Sequence, residues 1–165
     1  MTGLPSPADE DAFASYDVAA AGRSLVYVKA HSTEEPRGVY SIDLHGKAEL
    51  LSADTRLYAD AAVSPDGRKI AVDVTREPGV NEIWVLDLVH RRWQQLTTGE
   101  NDWQPAWKDD DTLIYTRGRG KGKVETWDEY SLPVTGGTLE LLASFPHGVN
   151  SHAIAPNHDA AVFST

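Results

Sequence analysis

One pattern of residues is written three times and begun a fourth time along this chain of 165 residues, and that repetition constrains the fold more than any other feature. Its clearest copy starts at Ala62-Val63-Ser64-Pro65-Asp66-Gly67-Arg68-Lys69-Ile70-Ala71-Val72. It continues through Glu82-Ile83-Trp84-Val85-Leu86-Asp87-Leu88 and closes on Gln95-Leu96-Thr97-Thr98-Gly99. Upstream, the same order appears as Gly22-Arg23-Ser24-Leu25-Val26-Tyr27-Val28, then Gly38-Val39-Tyr40-Ser41-Ile42-Asp43-Leu44, then Glu49-Leu50-Leu51. Downstream it reads Pro105-Ala106-Trp107, Asp109-Asp110-Asp111-Thr112-Leu113-Ile114-Tyr115, Tyr130-Ser131-Leu132-Pro133-Val134 and Leu139-Glu140-Leu141-Leu142. Leu44, Leu88 and Leu132 stand at equal intervals of 44 residues, and Gly22 and Gly67 are 45 apart.

No stretch sustains a helical apolar period. The apolar residues alternate or come in short runs bounded by Gly, Pro, Asp and Asn, as strands do. Each repeat supplies four short strands, and a period of roughly 40–45 residues built this way is the signature of propeller blades. The expected fold is therefore all-β, with about three and a half blades of four antiparallel strands. Residues 1–14 are expected to form an acidic, flexible lead-in, with blades at about 16–53, 56–99 and 102–144 and a partial blade at 147–165. Ser64-Pro65-Asp66-Gly67 is the best-specified turn: proline fixes φ at its second position and glycine follows where a tight reversal needs it. It joins a small-residue strand, Ala61-Ala62-Val63, to its neighbour, as crowding around a central channel requires.

The repeat resembles that of TolB-type β-propellers in its Ser64-Pro65-Asp66-Gly67-Arg68-Lys69-Ile70-Ala71-Val72, Ile83-Trp84-Val85-Leu86-Asp87-Leu88, Gln95-Leu96-Thr97 and Gln104-Pro105-Ala106-Trp107 segments. The resemblance runs from about Tyr16 to the C-terminus and is strongest between Ala61 and Tyr115. It is similar also to the N-terminal propellers of prolyl-oligopeptidase-like peptidases and to propellers attached to bacterial kinases. It implies a fold firmly and a function only loosely. WD-repeat proteins fit less well, because Trp127-Asp128 is a lone dipeptide with no Gly-His signature before it.

Composition excludes several functions. Fifteen Lys and Arg stand against 25 Asp and Glu, a net charge of −10, which argues against nucleic acid as a partner. The absence of cysteine removes disulfides, thiolate metal sites and a cysteine nucleophile. The N-terminus has no apolar run of the kind that inserts into membranes or directs secretion. The expected compartment is the cytoplasm if the chain is complete, and the periplasm if a leader was removed.

Candidate chemistry is sparse. No Gly-x-Ser-x-Gly elbow occurs, so the hydrolase half of a peptidase is not expected within this chain. The six histidines, His31, His45, His90, His147, His152 and His158, fall in no ligand spacing, and no metal or cofactor is expected. Asp109-Asp110-Asp111 lacks a calcium-loop order and reads as a polar turn. Residues 117–123, Arg-Gly-Arg-Gly-Lys-Gly-Lys, read as a flexible basic hairpin tip.

The expected role is a non-catalytic scaffold that binds protein or peptide through its loops and channel mouth. The alternative is a fragment that gates or supports a peptidase domain encoded elsewhere. The mouth residues named by the repeat are Tyr58, Asp60, Asp102, Trp103, Gln104, Asn150 and His152. Closed propellers have about four to eight blades. The shortfall points to self-association or to blades outside the chain.

Overall fold

A computed structural model describes residues 12–18, 24–30, 38–52, 56–120, 126–146, 151–154 and 161–164. The first sheet contains β1 (Ala12–Val18), β2 (Ser24–Ala30), β3 (Gly38–Asp43) and β4 (Ala48–Leu50), in that order. The second contains β5 (Leu57–Val63), β6 (Lys69–Glu77), β7 (Val80–Asp87) and β8 (Arg92–Gln95). In the third, β9 (Asp102–Trp107), β10 (Thr112–Arg119), β11 (Thr126–Pro133) and β12 (Glu140–Phe145) follow the same order. A two-stranded sheet, β13 (Ser151–Ile154) with β14 (Ala161–Ser164), begins a fourth unit. Every pairing between strands is antiparallel. The first strand of each sheet lies against the first strand of the next: β5 against β1 and β9, and β13 against β9. The fold is an all-β propeller array, as the repeat predicts.

β1 opens at Ala12, inside the span expected to be lead-in, because Ala12 and Phe13 already pair with Ala30 and Lys29. The basic segment also differs from its expected form. Arg117 and Arg119 belong to β10 rather than to a hairpin tip, and both pair with carboxylates. Residues 121–123 of that segment lie outside the described residues, as do His31, His147 and His158.

Two cores hold the sheets together. Val26, Val28 and Val39 of the first sheet meet Tyr58, Ile70, Val72, Val74 and Leu86 of the second. Ala62, Ala71, Ile83 and Val85 meet Trp107, Leu113, Tyr115 and Tyr130 of the third. Alternate residues of β6 therefore feed opposite cores, as the two-residue period of a strand dictates. Trp107 adds a direct link: its indole N–H donates to the Ala62 carbonyl at 3.0 Å across the sheets.

Turns repeat with equal regularity. Asp43 Oδ1 accepts the backbone N–H groups of His45 and Lys47, and 44 residues later Asp87 Oδ1 accepts those of Val89 and His90. The Asp87 carboxyl is held down at about 2, first by the His90 imidazole and then by these backbone donors. Ser52 and Thr97 also correspond, each hydroxyl accepting a buried N–H of the strand beside it, from Val39 at 3.1 Å and Ile83 at 2.9 Å. In the Ser64–Gly67 turn, the Gly67 N–H donates to the Ser64 carbonyl at 2.8 Å and the Ser64 hydroxyl donates to Asp66 at 2.7 Å. The next sheet touches this turn, because Asp110 Oδ1 accepts the Asp66 N–H at 2.8 Å.

Gly67 has φ 72°, a left-handed conformation that a β-branched side chain resists. Gly67→Val is expected to destabilise the protein by about 1 kcal/mol or more, read as a lowered thermal midpoint. A melt that superimposes on the parent's would show that the turn does not need its glycine.

Candidate functional site

A shared irregularity in the innermost strands shapes the site. β1 breaks register between Phe13 and Ser15, β5 between Tyr58 and Ala61, and β9 where Gln104 and Pro105 together oppose Tyr115. The bulged residues Ala14, Ala59 and Gln104 are 45 apart. Bulges of this kind re-aim side chains and release backbone groups from the ladder. Gln104 adopts φ 52° at its bulge. In β5 the bulge turns the Asp60 N–H toward Asp73, whose Oδ1 accepts it at 2.5 Å.

Between these bulges lies a cavity of about 410 Å³. Asp60, Asp73 and Asn81 come from the second sheet, and Trp103, Gln104 and Trp127 from the third. The two indoles meet at 4.7 Å between centroids with their planes tilted by 45°. Asn81 is fixed from both sides: its amide donates to Asn101 at 2.9 Å, and its carbonyl accepts the Thr75 hydroxyl at 2.7 Å. Asp73, only 3% exposed, follows Ala71 on the face of β6 that packs against the third sheet. Burial, reinforced by the neighbouring Asp60 charge, pushes its carboxyl up to about 7.

Three of the seven residues expected at the mouth, Asp60, Trp103 and Gln104, are brought together here. Tyr58 is not: it is 0% exposed, packed in the first core and stacked on Trp93 at 5.7 Å. The bulge reverses the alternation of β5, so Tyr58 shares a face with Ala61 and Val63. Asp102 is likewise buried, and its two oxygens accept Arg117 Nε at 2.6 Å and Nη2 at 2.9 Å. That bidentate pair anchors β9 to β10, so Asp102 is a structural partner of Arg117. His152 falls in β13 opposite Phe163, and Asn150 lies outside the described residues. Asp73, Asn81 and Trp127 were missed from the sequence; the one signal was an acid interrupting the apolar run of Ile70-Ala71-Val72-Asp73-Val74.

A second cleft, of about 540 Å³, opens at the opposite end of the strands beside Asp87, His90 and Arg92. It is the larger, but Lys69 there is paired with Asp111 at 2.9 Å and His90 with Asp87 at 2.8 Å. The smaller cavity is the better candidate because it brings carboxylate and amide side chains together with two aromatic rings. Among the described residues no three His, Asp or Glu gather as metal ligands, and no helix is long and apolar enough to cross a membrane.

The Asp73 shift makes a signed prediction. Its folded value, near 7, lies above the ordinary 3.8, so the unfolded chain loses this proton first as pH rises. The folded state then binds more protons, and this group's contribution to stability falls between about pH 4 and pH 7. Asp73→Asn keeps an acceptor for the Asp60 N–H and removes the titration. Its stability advantage over the parent is expected to grow across that window and to level off above it. Denaturant melts giving a difference independent of pH from 4 to 8 would contradict the assignment.

No protein-family model and no curated protein sequence matches the chain. Solved structures do. A TolB protein from Agrobacterium tumefaciens superimposes with a TM-score of 0.65 at 20% identity, covering 87% of this chain and 51% of that one. The β-propeller domain of the trilobed protease from Pyrococcus furiosus, described as having an open velcro topology, gives 0.62 at 20% identity over 93% of this chain and 49% of that one. A puromycin-hydrolyzing peptidase from Mycobacterium tuberculosis gives 0.62 at 21% identity over 79% and 23%. The chain thus spans about half the length of the first two. Sheet order, blade-to-blade packing and these superpositions agree: in fold, the chain is a TolB-like β-propeller array.

Proposed function

We propose that this chain is a non-catalytic scaffold that receives a protein or peptide segment at the mouth formed by its inner strands. The cavity between the second and third sheets supports this reading. It combines an aromatic pair, which supplies contact area, with carboxylate and amide groups, which supply orientation. Its lining offers no serine or cysteine nucleophile among the described residues. A second reading, support of a peptidase domain outside the chain, draws on the fold likeness to the two peptidases named above.

Selection from a displayed library of random peptides tests the scaffold reading. Binding peptides are expected, and Trp103→Ala is expected to weaken them about tenfold or more while Val89→Asp, at the opposite end of the strands, leaves them unchanged. Failure to enrich any peptide, or binders indifferent to Trp103, would overturn it.

Self-association is the second part of the proposal. Sheets stacked as blades leave a face without a neighbour at each end of an open array, to be covered by a second copy or by blades outside the chain, and Leu139, Leu141 and Leu142 are exposed on and beside β12. Two arrays of three and a half blades would close a ring of seven. Sedimentation is expected to show at least a dimer, burying about 1,200 Å² or more. A folded monomer from micromolar to millimolar concentration would overturn this part.

A further inference from the structure

The larger cleft, of about 540 Å³, lies where the β7–β8 hairpin of the second sheet faces the turn after β11 of the third. Three strands set a row of charges along its wall: Lys69 of β6 pairs in register with Asp87 of β7, and Asp87 with Arg92 of β8. The order is cation, acid, cation, yet the row does not neutralise itself. Lys69 reaches across to the third sheet, where its Nζ donates to the Asp110 carbonyl and to Asp111 Oδ1, each at 2.9 Å. Asp87 turns to its own hairpin: Oδ1 accepts the N–H groups of Val89 and His90, and Oδ2 meets the His90 ring at 2.8 Å. Arg92 is left exposed, and its guanidinium has no carboxylate partner among the described residues. Beside it the lining is apolar, with Val85 and Val134 buried under the cleft.

The preceding gap, between the first and second sheets, shows what this one lacks. There Glu49 of β4 holds Arg91 of the next sheet at 2.7 Å. The equivalent residue of β8, 45 positions on, is Gln94, which donates its amide to the Val134 carbonyl at 3.0 Å. The repeat thus carries an acid at this position in the first gap and a neutral amide in the second. The second gap keeps a guanidinium and an apolar floor without that acid.

We propose that this cleft binds a short-chain monocarboxylate, its carboxylate on Arg92 and its hydrocarbon tail over Val85 and Val134. The inference is independent of the peptide reading, because the cleft lies at the other end of the strands from the mouth. Its volume falls in the range of small-ligand pockets, about 300–1,000 Å³. A guanidinium matches a carboxylate with two parallel hydrogen bonds. The Thr135 hydroxyl supplies a further donor on the opposing wall. The net charge of −10 repels polyanions and extended acidic segments, and a ligand with a single negative charge is repelled least.

The test titrates the isotope-labelled full chain with acetate, propanoate and butanoate at constant pH and ionic strength, read by amide chemical shifts. Saturable shifts are expected at Arg92, Gln94 and Thr135, with binding about threefold tighter for each added methylene. Butanamide, which keeps the length and loses the charge, is expected to shift these amides at least tenfold more weakly, and phosphate to bind more weakly than butanoate. Arg92→Gln is expected to weaken butanoate about tenfold or more. Circular dichroism checks that this variant folds; should it not, the chain-length series and butanamide on the parent decide alone. Shifts that do not saturate, no dependence on chain length, phosphate binding as tightly as butanoate, or a folded Arg92→Gln that binds like the parent would each overturn the inference. None of these outcomes bears on the peptide reading at the mouth.

Discussion

Burial of one sheet face against the next is the interaction on which the rest of this structure depends. Among the described residues no helix covers any sheet, so each sheet has only its neighbours to exclude water from its apolar faces. The second sheet shows the consequence most clearly. Ile70, Val72 and Val74 fill the space toward the first sheet, while Ala71, Ile83 and Val85 fill the space toward the third. A strand with apolar residues on both faces is stable only when sandwiched, and stability accumulates blade by blade.

The candidate site follows from that packing rather than standing apart from it. The face of β6 that carries Ala71 into the second core continues as Asp73 and Thr75, where the core gives way to a polar mouth. Two carboxylates at that depth meet different fates. Asp102 is compensated by a bidentate guanidinium within its own sheet. Asp73 has the Asp60 backbone N–H but also the Asp60 charge beside it, and burial leaves it near neutrality. Removing one partner of such a buried ion pair leaves the other charge desolvated and uncompensated, which is strongly destabilising. The Asp102–Arg117 pair fixes β9 on β10 in this way.

Much of the architecture is legible in the residues. The alternation in Ile83-Trp84-Val85-Leu86 marks a strand buried on both sides, and Ser64-Pro65-Asp66-Gly67 marks a tight reversal. Asp43 and Asp87 mark the same turn twice. The mouth was legible in part, because Asp60 and Gln104 are 44 residues apart and Trp103 adjoins Gln104. Tyr58 was misplaced for a specific reason. Strict alternation would put Tyr58, Asp60 and Ala62 on one face, whereas the bulge inserts an extra residue and turns Tyr58 into the first core. Asp102 was misplaced because its partner, Arg117, is 15 residues away and appeared to belong to a loop.

The sequence by itself determined the period of the repeat, the strand alternation and the chemistry of the turns, because each is set by backbone sterics and side-chain preference over a few residues. Only the tertiary structure decided which carboxylates are paired within their own sheet and which face the cavity. Bulges change the parity of a strand without changing its composition. A charge's partner, moreover, is chosen by strand register and by the sheet packed against it. Asp60 and Asp102 are the same residue type in equivalent inner strands. One lines the mouth and the other is locked to Arg117, because Asp102 pairs directly across from Arg117 while Asp60 sits in a bulge opposite Asp73.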